Sequence, residues 1–102
     1  MVKHPKYQAM DDARQSEIPR AFEKYCPEEY ELDIIQPKRD PRPGPIPRPT
    51  FRVLDSDGHL LAHFHPNGYS ECHNDSFKDI YEKMKVMIEK AAKRGYEEYQ
   101  GH

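Results

Sequence analysis

Two histidines two residues apart, His63 and His65, with a thiol at Cys72, are the residues of this chain best suited to chemistry. Residues two apart on a strand point the same way, so both imidazoles share a face. If the intervening Asn67-Gly68 is a two-residue turn, Cys72 stands opposite His63. Two imidazoles and a thiolate are donor types that zinc accepts, with His59 or water available as a fourth. The spacing contains neither CxxC nor HExxH, and half-exposed histidines on a sheet are more often simply hydrogen-bonded or solvated. No cofactor or metal is therefore expected, and His63, His65 and Cys72 stand only as an alternative zinc set.

Other catalytic patterns are thinner. Cys72 and His73 are adjacent in the chain but would face opposite ways on a strand. Cys26, at a helix end before Pro27, has the setting of a buried apolar residue rather than a nucleophile. There is no glycine-rich phosphate loop, paired-carboxylate site or cofactor fingerprint. The chain is read as a protein other than an enzyme.

The elements that must position these groups lie between Phe51 and Tyr99. Asp57-Gly58 and Asn67-Gly68 are turn dipeptides, and around them lie three candidate strands over 50–55, 59–65 and 69–73. Two-residue turns place Phe51, Val53, Leu60, Ala62, Phe64 and Tyr69 on a core face. The other face then holds Arg52, Leu54, Leu61, His63, His65, Ser70 and Cys72. A four-residue first loop keeps these faces, whereas a three-residue loop reverses them. Ser76 with Asp79 reads as a capping pair opening a long helix. Its stripe is Phe77, Ile80, Met84, Met87, Ile88 and Ala91, and Gly95 is a plausible stop.

Upstream, residues 7–25 have helical spacing, with Pro19 kinking or dividing the helix and Ser16 as a fresh cap. Tyr30, Leu32 and Ile34 alternate with Glu31 and Asp33, which predicts a fourth strand whose acidic row suits an edge. Residues 37–50 hold six prolines and four basic residues, a stiff, extended connection or a basic arm. The prediction is one α+β domain over 1–102, of order α-β-β-β-β-α. A small antiparallel sheet, three hairpin-connected strands plus an edge strand, is packed by the long C-terminal helix.

At 102 residues with a net charge of −2, the chain has no global basic footprint. The balance is uneven: five basic against eight acidic residues over 1–36, four against one over 37–50, seven against nine over 51–102. No apolar run reaches membrane-spanning length and the first residues lack the apolar core of a secretory signal. Two cysteines do not make a disulfide framework, so a cytoplasmic setting is expected. A helix, three strands and a helix is also the order of double-stranded-RNA-binding domains, but order alone carries no function.

Two functions follow. The first is a small non-catalytic protein-binding module, a regulator or inhibitor of a larger protein, using Arg48, Arg52, Leu54, Leu61, His63 and His65. The alternative is nucleic-acid binding through the basic Pro-rich arm, Arg52 and the helix lysines Lys78, Lys85, Lys90 and Lys93. No membrane partner is expected, and the sequence leaves the oligomeric state open. If the N-terminal helix instead covers the second sheet face, Leu61 belongs to the core and the acidic edge at Glu28–Asp33 becomes the contact surface.

Overall fold

The computed structural model describes residues 5–38 and 47–99; most of the Pro-rich arm expected over 37–50, with its Arg39 and Arg42, lies outside the described residues. Helix α1 (Pro5–Tyr25) leads into strands β1 (Glu31–Ile35), β2 (Thr50–Leu54), β3 (Leu60–Phe64) and β4 (Ser70–Cys72). A 3₁₀ turn at Asp75–Phe77 then opens helix α2 (Lys78–Glu98). The four strands form one antiparallel sheet in the order β1-β2-β3-β4. The α+β class and the α-β-β-β-β-α order are as the sequence predicts. So is the edge position of β1, whose Asp33 lies across from Arg52.

Both helices pack on one face of the sheet. Ile18 and Ala21 of α1 share a buried cluster with Phe51, Val53, Ala62 and Phe64 of the sheet and Phe77, Tyr81, Met84 and Ile88 around α2. The apolar stripe of α2 is thus the buried one, with Tyr81 and Ala92 more deeply placed than Ile80 and Met87. Tyr81 keeps its hydroxyl satisfied against Ser70 Oγ at 2.8 Å, as a buried phenol must.

Helix α1 runs unbroken across Pro19. Ser16 does not cap a second helix; its hydroxyl donates back to the Asp12 carbonyl at 3.1 Å. The side-chain cap lies on the 3₁₀ turn ahead of α2: Asn74 accepts from the Ser76 amide, while Phe77 at the start of α2 itself makes no side-chain cap. An Asn side chain competes well for such an otherwise unpaired N–H. The expected Ser76/Asp79 pair is therefore replaced by a cap two residues earlier.

The two helices run antiparallel: Cys26 Sγ meets Met84 Sδ near one end, and Tyr7 meets Tyr96 at the other. Gly95 does not end α2. A Cβ there would come within 3.0 Å of the Ala9 carbonyl oxygen and 3.1 Å of Ala13 Cβ, so the glycine permits the close helix crossing. Arg14 forks onto Glu89 of α2, with Nε to Oε1 at 3.1 Å and Nη2 to Oε2 at 3.2 Å. It also reaches Asp11 and the Pro66 carbonyl, so one guanidinium joins both helices to the β3–β4 loop. No helix among the described residues is long and apolar enough to cross a membrane.

Candidate functional site

The face of the sheet turned away from the helices carries the chemistry. Two loops and one extra residue decide what stands there. In the β2–β3 hairpin Asp55 N donates to the His59 carbonyl and Gly58 N to the Asp55 carbonyl. The loop is therefore Ser56-Asp57-Gly58, three residues, with Gly58 at φ +84°. A type I turn closed by a left-handed glycine has this form. The Asp55 carboxylate accepts from the amides of Asp57 and His59; the His59 amide contributes most to holding that carboxyl below its usual range.

A three-residue loop alone would reverse the faces, but β3 compensates. Leu54 pairs with Leu60 and Val53 with Ala62, leaving Leu61 as an unpaired extra residue, a β-bulge. Phe51 lies opposite Phe64 and Val53 opposite Ala62, the pairs that a two-residue turn without a bulge would also give. The bulge exchanges the two leucines beyond them: Leu61 is 3% exposed and belongs to the core, while Leu60 is 36% exposed. Leu61 is thus corrected from a surface position to a core one, even though α1 leaves the outer face open.

The β3–β4 loop is likewise three residues, Pro66-Asn67-Gly68. His65 N donates to the Tyr69 carbonyl, Gly68 N donates to the His65 carbonyl, and Gly68 has φ +101°. Here no bulge compensates. Ala62 pairs with Cys72, His63 with Glu71 and Phe64 with Ser70. Cys72 therefore points to the core side, where its thiol donates to the Asn74 carbonyl at 3.2 Å. The expected set His63, His65 and Cys72 is not assembled.

A different set is assembled. His63 Nδ1 lies 2.7 Å from His73 Nε2, and the two rings are 4.7 Å apart and tilted by 31°. One nitrogen of this pair must supply a proton and the other a lone pair. Glu71 Oε2 is 3.8 Å from His63 Nε2 and 4.0 Å from His73 Nε2. Tyr69 donates its hydroxyl to the same carboxylate oxygen at 3.2 Å, and the Glu71 charge pushes the Tyr69 phenol up. His65 meets His63 edge-on at 5.2 Å and lies 3.4 Å from Thr50 Oγ1. Partial burial lowers the pKa of His63, and His73 and His65 add to this; Glu71 opposes it.

The remaining predicted residues divide. Arg52 and Leu54 lie on this face half-buried, and Arg52 is ion-paired with Asp33. Arg48 is not there. It ties the segment before β2 to α1, through Asp12 at 2.8 Å and Gln15 Oε1 at 2.9 Å, and it lies near Asp11. The helix cations Lys90, Lys93 and Arg94 line a groove between α1 and α2 with Lys24, on the helical layer rather than on the open face. Sequence reasoning missed Tyr69, Glu71 and His73. The signal was present in Ser-Asp-Gly and Pro-Asn-Gly, each able to form a three-residue loop with glycine last.

No protein-family model, curated protein or solved structure matches this chain.

Proposed function

We propose that this chain is a small non-catalytic binding module that docks a protein partner on the open face of its sheet, as a regulator of that partner. The observation that carries the reading is the one-sided packing of the fold. Both helices share the inner face, so the outer face of four strands has no layer over it among the described residues. It offers Leu54 paired with Leu60 at one end of β3 and Tyr69 at the other, with His63 and His65 between them. Exposed apolar and aromatic side chains interspersed with polar ones suit a surface that meets another protein.

Charge supports a particular kind of partner. Glu31, Asp33 and Glu71 face outward by register, and Arg52 is neutralised by Asp33. The face is acidic, which fits a protein surface carrying basic residues around an apolar patch. The same pairing counts against a phosphate backbone. Arg48 and Arg52 are already held by Asp12 and Asp33, and Lys90 and Lys93 lie on another surface. Two free cysteines suit the reducing compartment that the sequence reading favours.

The test is affinity capture from the native host with the full chain, alongside Leu60→Glu and Tyr69→Ala, both at exposed positions. The expected result is a protein retained by the wild type and by Lys90→Glu, and lost from both face variants. Retention by the face variants, or release of the captured species by nuclease, overturns the reading.

A further inference from the structure

We propose that His63, Glu71 and His73 form a binding site for one divalent late transition-metal ion, of which zinc is the reference case. Donor chemistry comes first. Two imidazoles with one carboxylate suit zinc and its first-row neighbours, whereas calcium and magnesium favour sets made of oxygen alone. Their donor atoms lie within 4.8 Å of one another. Around a tetrahedral ion with bonds of about 2.0–2.1 Å, ligand atoms lie roughly 3.3 Å apart. His73 Nε2 lies 2.7 Å from His63 Nδ1 and 4.0 Å from Glu71 Oε2. The 3.8 Å approach of Glu71 is to the other His63 nitrogen, Nε2, so an ion must draw the three groups to that spacing. His63 presents Nδ1 to His73 and Nε2 to Glu71, so a modest turn of its ring lets one nitrogen serve the ion.

Position comes second. His73 follows the last residue of β4, where it need not stand beside His63 at all. Its amide donates to the Leu61 carbonyl at 2.8 Å, and Leu61 is the extra residue of the β3 bulge. Bulges commonly re-aim side chains beside functional sites. The bulge thus fixes the backbone of one candidate ligand, and the register of the three-residue loop fixes another by placing Glu71 directly opposite His63.

Outer-shell support comes third. A ligating carboxylate is usually itself hydrogen-bonded, which fixes its orientation. Tyr69 does this for Glu71. His65, aligned with Thr50, flanks the set and leaves the ion's remaining position to water. Glu71 and His73 are 52% and 32% exposed at their side chains, so that position faces solvent on the same surface proposed for docking. The site does not depend on that reading: it needs no partner, and a partner can bind without it.

The test is titration of the full chain, free of any affinity tag, with Zn²⁺ by calorimetry and with Co²⁺ by visible absorption. Uptake of one equivalent, saturable for each ion, is expected. Glu71→Gln and His73→Ala change exposed side chains, and circular dichroism checks that both variants keep the fold. Removal of a ligand should weaken binding at least as much as the about 10–100-fold that loss of an outer-shell partner costs. His59→Ala and Cys72→Ser should bind within about twofold of wild type, since neither belongs to the set. Three results overturn the proposal: no saturable uptake of either ion, unchanged affinity in Glu71→Gln and His73→Ala, or loss of binding with Cys72→Ser.

Discussion

The bulge in β3 makes a sharp claim about two adjacent leucines. Alternation from a two-residue hairpin puts Leu60 in the core and Leu61 outside; the structure reverses them, at 36% and 3% exposed. Truncating each to alanine reads the difference. Leu61 lies among Phe51, Val53, Phe64 and Met84 in one cluster. Leu61→Ala should therefore cost about 2–5 kcal/mol, the transfer loss plus the cavity left behind. Leu60→Ala, at a surface position, should stay within about 0.5 kcal/mol of wild type. A domain of this size has on the order of 5–15 kcal/mol of stability in all, so the first change removes a large fraction of it and the second almost none.

Urea unfolding followed by circular dichroism measures both, with the slopes compared to confirm that only stability has changed. In thermal melts the expected difference between the variants is on the order of 10–30 °C, from about 4–8 °C per kcal/mol. Leu61→Glu extends the test, because a carboxylate at that position would be buried without a built partner. It is expected to unfold the domain, whereas Leu60→Glu is expected to fold. Equal losses in the two alanine variants would mean no bulge, and the reverse ranking would restore simple alternation.

Three further outcomes are expected. Gly95→Leu should destabilise the chain by about 1–3 kcal/mol in urea unfolding despite leucine's better helix propensity, because its side chain meets Ala9 and Ala13 across the helix crossing. Arg48→Ala should cost about 1–3 kcal/mol, also read by urea unfolding, since it removes the tie to Asp12 and Gln15; partner capture should survive it. Burial pushes the Cys26 thiol up to about 11, so in a Cys72→Ser background alkylation at pH 8 should be on the order of a hundredfold slower than for a free thiol. The sign of the linked stability follows. Folding holds Cys26 protonated, a contribution fully present below the unfolded-state pKa and lost as pH rises from there through the folded value. The alkaline decline should be shallower in Cys26→Ala.

Much of the fold could be read directly from the residues. The strand β1, the apolar stripe of α2 and the order of elements all follow from periodicity, which the backbone geometry enforces, although at this edge Ile34 stays 45% exposed. Register near the middle of β2 was legible too, since Phe51/Phe64 and Val53/Ala62 come out opposite each other. Gly95 misled because glycine near the end of an amphipathic run signals a stop. Its actual role depends on Ala9 and Ala13, more than eighty residues earlier in the chain. Arg48 misled for a similar reason: a basic residue in a proline-rich run reads as free until a helix from elsewhere supplies Asp12. Both errors concern contacts between distant segments, about which a local pattern is silent.

The site was hidden by something smaller, a single residue of loop. Asp-Gly and Asn-Gly fit both a two-residue turn and the last two positions of a three-residue one, and the choice reverses every side chain beyond it. After Ser56-Asp57-Gly58 the bulge at Leu61 reverses them back, so the first error cancels over Ala62 to Phe64. After Pro66-Asn67-Gly68 nothing does. Cys72 goes inward, while Tyr69, Glu71 and His73 come out beside His63. The loop is also the element that the helices hold. Arg14 of α1, forked onto Glu89 of α2, donates to the Pro66 carbonyl and lies 3.2 Å from where a Cβ on Gly68 would stand. A side chain at Gly68 would face both that guanidinium and a φ of +101°. The helical layer on one face of the sheet therefore helps to fix the turn that decides which groups the opposite face displays. Arg14 and Gly68 belong to the description of that face as much as the histidines on it do.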